Sequence, residues 1–264
     1  MSRKIFVGVM LFATLIIILV LCIAISPEGK KKLSYNYSEV NSVKSDNSDY
    51  NKTDLHDKEK NKEKNKQNEE KIAYLTFDDG PSKNTKKVLD ILDQYNIKAT
   101  FFLIGSSITD EYVEQLKNME KTGHSIGIHT FSHKYNQIYL SKETYLNDFN
   151  KAKDILSQYL IKEPKIYRFP GGSCNCFIGS NKKEIINELK KEGYNYYDWN
   201  VSGEDSINRP SCSFIINNVI KDYKDFDKPI ILLHDGPSND NTVRALPTII
   251  DNIKKSDYSF GVLR

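Results

Sequence analysis

The chain has 264 residues, 39% of them hydrophobic and 28% charged, and this apolar and aromatic content excludes wholesale disorder. Four cysteines over that length exclude a small disulfide-stapled scaffold. Residues 1–70 carry 12 basic and 10 acidic groups and residues 71–264 carry 26 and 25, so the larger part stands at +1 and lacks the basic excess that nucleic acid binding needs.

Residues Ile5 to Ile25 form a run of 21 positions without a charge. As a helix they span about 31 Å, which matches a bilayer core of about 30 Å. The run is longer than a secretory h-region, and no A-x-A cleavage site follows it. Residues 1–25 are therefore read as an uncleaved signal anchor, a transmembrane helix. Arg3 and Lys4 precede the run and Lys30, Lys31 and Lys32 follow it, so charge alone leaves its orientation balanced. Residues 26–70 hold ten basic and ten acidic groups and few aliphatics, the composition of a disordered charged linker. Such a tether would hold a domain off the membrane.

From Lys71 onward strand and helix patterns alternate. The apolar runs 72–77, 99–105, 125–130, 166–169, 194–199, 230–233 and 260–263 read as strands. Helical spacing appears at Val88, Ile91, Leu92 and Tyr95, over 141–160, and around 181–192, 212–223 and 242–255. Seven β segments joined mostly by helices predict a parallel sheet, closed as a barrel or open and doubly wound. Both architectures gather ligand chemistry at the carboxyl ends of the strands. Asp78 and Asp79, His129, Arg168, Asp198 and His234 all fall in or just after such ends.

The chemistry of these residues is compatible with hydrolysis. Adjacent side chains on an extended strand diverge, so one of Asp78 and Asp79 could bind a metal while the other faces substrate. His129 and His133 have the H-x3-H spacing that lets two imidazoles meet one ion. Two histidines and a carboxylate leave coordination positions open, the pattern of a catalytic metal. Asp78 could act as general base, kept ionised by Arg168. His234 could donate a proton or stabilise an oxyanion, with Asp198 orienting it. Trp199, the only tryptophan, offers a face for a sugar ring, whereas His124 reads as structural.

TFDDGP (76–81), HTFSH (129–133), RFPGG (168–172), YYDW (196–199) and LLHD (232–235) stand in the order and spacing of the NodB-type polysaccharide deacetylases, carbohydrate esterase family 4. The sequence resembles that family over residues 71–264. The resemblance implies a distorted (β/α)7-type barrel, the NodB homology domain. It implies a divalent metal, usually Zn2+ with Co2+ or another ion as alternatives, held by Asp79, His129 and His133. It implies Asp78 as base, Arg168 as its tether, His234 as acid and Asp198 as that acid's partner. Trp199 and Leu233 match residues lining the acetyl pocket, and the backbone N–H of Gly171 matches an oxyanion donor.

The implied reaction is hydrolysis of N-acetyl groups on amino sugars, releasing acetate. The leading substrate is N-acetylglucosamine of peptidoglycan; chitin or poly-N-acetylglucosamine comes second and an O-acetyl polysaccharide third. A tethered carbohydrate-binding protein without turnover is the rival from another class. The expected enzyme is a monomer, single-pass in the cell membrane, with its domain on the cell-wall side and no nucleic-acid partner. Two departures stand out. Gly171 replaces a bulky residue of many members, which would open one wall of the groove. SCNC (173–176) places two thiols near the site, where Cys174 or Cys176 could bridge to Cys212 or all three could stay reduced.

Overall fold

Strand β1 (Ile72–Gly80) is the axis around which the sheet assembles. Along one edge it pairs with β7 (Ile230–His234). Along the other it pairs with β8 (Ser259–Gly261) at its start and with β2 (Thr100–Leu103) at its end. The sheet continues through β3 (Ser125–Ile128), β4 (Ile166–Tyr167) and β5 (Asn195–Tyr196), and beyond β7 through β6 (Val201–Ser202). Every pairing is parallel. The structure is a computed structural model and describes residues 70–264. The anchor expected over 1–25, and all but the last residue of the linker expected over 26–70, lie outside the described residues. No helix among the described residues is long and apolar enough to cross a membrane.

The expected barrel is incomplete. The strand order is β5-β4-β3-β2-β1-β7-β6, and β5 and β6 do not pair with each other. The run 194–199, expected as one strand, holds only the two-residue β5, and β6 follows at Val201–Ser202 after a break at 197–200. They pair with β4 and β7 at opposite ends of the sheet. The barrel is split at that point.

Alternation along each strand sorts side chains between two environments. Ala73, Leu75 and Phe77 of β1 and Ile231 and Leu233 of β7 face outward into the main core. There they meet helices α1 (Lys83–Gln94), α4 (Lys142–Tyr159), α5 (Lys182–Lys191), α6 (Cys212–Asp222) and α7 (Asp240–Lys254). The barrel interior holds a smaller cluster of Phe102, Ile166 and Leu263, with Tyr74 and Ile230 packed against it. Gly127 makes room for it, since a Cβ there would stand 2.5 Å from the Phe102 ring. Polar Thr76, Asp78, Arg168 and His234 continue the interior-facing rows toward the carboxyl ends.

Two helices go unannounced by the periodicity. One is α2 (Asp110–Lys121), which buries only Leu116 and Met119 and so shows little apolar spacing. The other is α3 (Tyr135–Ile138), a single turn. The helices expected around 141–160 and 212–223 begin at side-chain caps: Ser141 accepts from the Thr144 amide and Ser211 from the Phe214 amide. The three cysteines among the described residues are free thiols, so the bridge to Cys212 does not form. Cys212 instead donates to the Asn241 carbonyl at 3.5 Å.

Candidate active site

The end of β1 turns two adjacent acids in different directions. Asp78 keeps the interior direction of Thr76 and is 3% exposed. Asp79 has φ +72 at a register shift between β1 and β2, and this swings its carboxylate out over the strand ends. There its Oδ1 lies 3.6 Å from His129 Nε2 and 3.3 Å from His133 Nε2. His129 follows β3 directly, and His133, also at positive φ, closes the loop after it.

These three ligand atoms lie within 4.8 Å of one another. Asp79 Oδ1 is buried without a hydrogen-bond partner, an arrangement that is unfavourable unless something else satisfies the oxygen. His129 Nδ1 lies 2.8 Å from the Arg168 carbonyl, which can only accept; the proton therefore sits on Nδ1 and the Nε2 lone pair faces Asp79. Burial first, and the neighbouring His133 next, push His129 down to about 3, so the ring is a neutral ligand at ordinary pH. A carboxylate and two imidazoles form a donor set suited to a zinc-like ion with positions left open. Asp79, His129 and His133 therefore fit the metal expected from the sequence. No cysteine takes part in this cluster.

Behind the cluster, Arg168 is wholly buried and fully engaged. Nη1 donates to Asp78 Oδ1 and to Thr76 Oγ1, both at 2.8 Å. Nε donates to the Tyr197 carbonyl at 2.8 Å and Nη2 to the Asp198 carbonyl at 3.2 Å. The guanidinium also lies 4.2 Å from the centre of the Phe102 ring. Burial raises the Asp78 carboxyl above its ordinary value, and the Arg168 charge opposes that rise. Asp78 Oδ2 stays turned toward the cluster, 3.7 Å from His129 Nε2.

His234 is the register partner of Asp78 on the adjacent strand and faces the same interior. The structure corrects the partner expected for it. Asp205, not Asp198, is that partner: Oδ1 lies 2.7 Å from His234 Nδ1, and Oδ2 accepts the His234 backbone N–H at 2.8 Å. Asp205 Oδ2 also accepts from Thr242 Oγ1, and Asn239 donates to the Asp205 carbonyl. Burial lowers His234, but the Asp205 hydrogen bond and charge outweigh it and lift the imidazole to about 9. Asp198 is committed elsewhere, accepting the N–H and hydroxyl of Ser173 at 2.9 and 2.5 Å. It joins the loop after β4 to the loop after β5.

Leu233 is corrected too. Its side chain alternates away from His234 into the outer core, where a Cβ on Gly203 would stand 2.7 Å from Leu233 Cδ2 and 3.2 Å from Ile215 Cγ2. Leu232, two residues before His234, is the leucine that shares its face. Trp199 is half-buried over the site, 5.5 Å from the Arg168 guanidinium, and its ring edge would stand 3.0 Å from a Cβ on Gly172.

Gly171 has φ +75, and the wall expected to be open beside it is filled. The Tyr135 ring comes within 2.8 Å of where a Gly171 Cβ would stand. Tyr135 also meets the His133 ring edge-on at 5.4 Å. Its phenol is pushed up to about 12 by burial and by the nearby Asp79 and Asp78. His124 is structural as expected: its Nδ1 accepts the Ala99 N–H, and burial lowers it to about 4.

A buried acid and a partly exposed imidazole face each other at the strand ends, each held by its own counter-charge, with a ligand cluster beside them. That is the layout of a hydrolase. The polysaccharide deacetylase family matches residues 65–197. The putative polysaccharide deacetylase YheN of Bacillus subtilis is 34% identical over 200 residues, covering 74% of this chain and 67% of that protein. A peptidoglycan-N-acetylglucosamine deacetylase of Bacillus cereus is 38% identical over 198 residues, covering 73% and 86%. Among solved structures, the catalytic domain of peptidoglycan N-acetylglucosamine deacetylase from Eubacterium rectale superposes with a TM-score of 0.68 at 36% identity. That match covers 74% of this chain and 89% of the other. The chain belongs to the polysaccharide deacetylase family.

Proposed function

We propose that this chain is a divalent-metal-dependent deacetylase that removes N-acetyl groups from N-acetylglucosamine in peptidoglycan. In this reading it acts as a monomer, held at the cell membrane by residues 1–25, with its domain on the cell-wall side. The names of the Bacillus cereus and Eubacterium rectale relatives support the substrate. The observation that carries the chemistry is the cluster of Asp79, His129 and His133 beside Asp78 and His234 on adjacent strands.

An ion held by Asp79, His129 and His133, with Zn2+ the leading choice, would supply Lewis acidity toward the acetyl carbonyl and the attacking water. Asp78, fixed through Oδ1 by Arg168, presents Oδ2 to take a proton from that water. As water adds to the carbonyl, the Gly171 backbone N–H is the chain's donor to the developing oxyanion. His234 enters protonated, because Asp205 holds its charge, and gives its Nε2 proton to the departing amine. The C–N bond breaks, and acetate and a free amino sugar leave. Leu232 and Trp199 supply the apolar surface for the acetyl methyl group.

The test uses the full-length protein, zinc-loaded or chelated, on purified peptidoglycan, N-acetylglucosamine oligomers and acetylated xylan. The expected result is metal-dependent acetate release from peptidoglycan, with the loss of one acetyl mass per sugar. Release from chitin oligomers or xylan alone would move the substrate to that polymer. No release from any of them, with metal bound and the fold intact, would favour the carbohydrate-binding reading.

A further inference from the structure

Besides the Asp198 bonds to Ser173, the loop after β4 is held from within by Asn175. Asn175 Nδ2 donates to the Pro170 and Gly172 carbonyls at 3.1 and 2.6 Å, while its Oδ1 accepts the amides of Phe177 and Ile178 at 2.9 and 3.0 Å. Ile178 anchors the end of the loop in the core at 3% exposure. Phe177 is left 55% exposed on a backbone that has little freedom to withdraw it. Its ring meets Tyr135 edge-on at 5.4 Å, and Tyr135 meets the metal-cluster residue His133 at the same distance. Two ring contacts thus carry a continuous aromatic surface from the cluster out to solvent.

We infer that Tyr135 and Phe177 form a stacking platform for the pyranose ring of a sugar next to the one being deacetylated in the same glycan strand. A pyranose presents an apolar face of C–H groups, and an aromatic face held in place binds it with little ordering cost. Contiguous exposed apolar surface beside a site marks a contact surface, and here it runs from Phe177 to Tyr135. Tyr135 fills the space beside Gly171, which seats the inner ring of the platform against the loop after β4. The inference rests on the amino-sugar reading above and adds a subsite to it.

The experiment compares zinc-loaded full-length wild type, Phe177→Ala and Phe177→Trp on a disaccharide and a pentasaccharide of N-acetylglucosamine. Phe177→Ala should raise KM for the pentasaccharide by about three- to tenfold, the size of one aromatic contact, with kcat held. The disaccharide should respond less, and Phe177→Trp should restore the pentasaccharide KM. A pentasaccharide KM within about twofold of wild type would overturn the platform, twofold being well under one aromatic contact. So would an equal fall in kcat on both sugars, which would mean a distorted centre. Self-association of wild type that Phe177→Ala abolishes would assign the ring to a second copy instead. A wild type that releases acetate from neither sugar nor peptidoglycan would remove the amino-sugar reading, and the subsite with it.

Discussion

His234 Nδ1 lies 2.7 Å from Asp205 Oδ1, and the same carboxylate accepts the His234 backbone N–H. One acid thereby fixes the tautomer, the ring orientation and the charge of the imidazole. With His234 raised to about 9 in the fold, the protonated form persists through neutral pH. The deacetylation rate should hold until about pH 9 and fall above it. Asp205→Asn should bring that alkaline limb down toward the ordinary histidine range, which a pH–rate profile will show.

The same pair links stability to pH. A histidine whose folded value is raised stabilises the fold fully below its unfolded value of about 6.5 and loses that contribution as pH climbs through about 9. Urea unfolding from pH 6 to 10 should show wild type losing on the order of 3 kcal/mol across that window. Asp205→Asn should flatten the slope.

Asp78→Asn should bind metal and lose turnover by about 10²–10⁴-fold, since the ligand cluster does not include it while the proposed proton transfer needs it. It also leaves the wholly buried Arg168 without its carboxylate, which costs about 3–5 kcal/mol. Metal content, melting temperature and acetate release measured together separate the two effects. Near-normal turnover in this variant would remove Asp78 from the role of base.

Zinc binding to the native cluster should stabilise the fold by about 4 kcal/mol at a thousandfold excess over Kd. His129→Ala and Asp79→Asn should abolish that shift in a thermal unfolding series with and without zinc. A shift that survives both changes would place the ion elsewhere.

Gly171→Ala should destabilise the fold and lower activity, because φ +75 disfavours a side chain and the new Cβ would collide with the Tyr135 ring. Combining it with Tyr135→Ala should recover part of the stability. A double-mutant cycle in urea reads that recovery as a coupling between the two sites.

Much of this was legible in the sequence because strand ends announce themselves. Asp78, Asp79, His129, Arg168 and His234 each end or closely follow an apolar run, and the parallel topology brings them together. Asp205 was hidden because the run 194–199 suggests one strand ending near Asp198. The second short strand, Val201–Ser202, pairs Ser202 with Leu232, and this brings Asp205 level with His234 three residues later. No local periodicity signals a two-residue strand. Leu232 and Leu233 were indistinguishable as letters, and only the pleat assigns one to each face. Tyr135 sits on a single helical turn, too short for a pattern, and its contact with Gly171 crosses 36 positions of chain.

Strand β1 is bonded on both edges and delivers Asp78 and Asp79 from its own last residues. The Asp78 carbonyl accepts the Asp235 N–H, so ladder bonding continues past the end of β7. Amide hydrogen exchange should therefore be slowest along Leu75–Asp78, with protection approaching that of global unfolding. Under heat or denaturant, catalytic capacity should disappear with the fold itself and not before it.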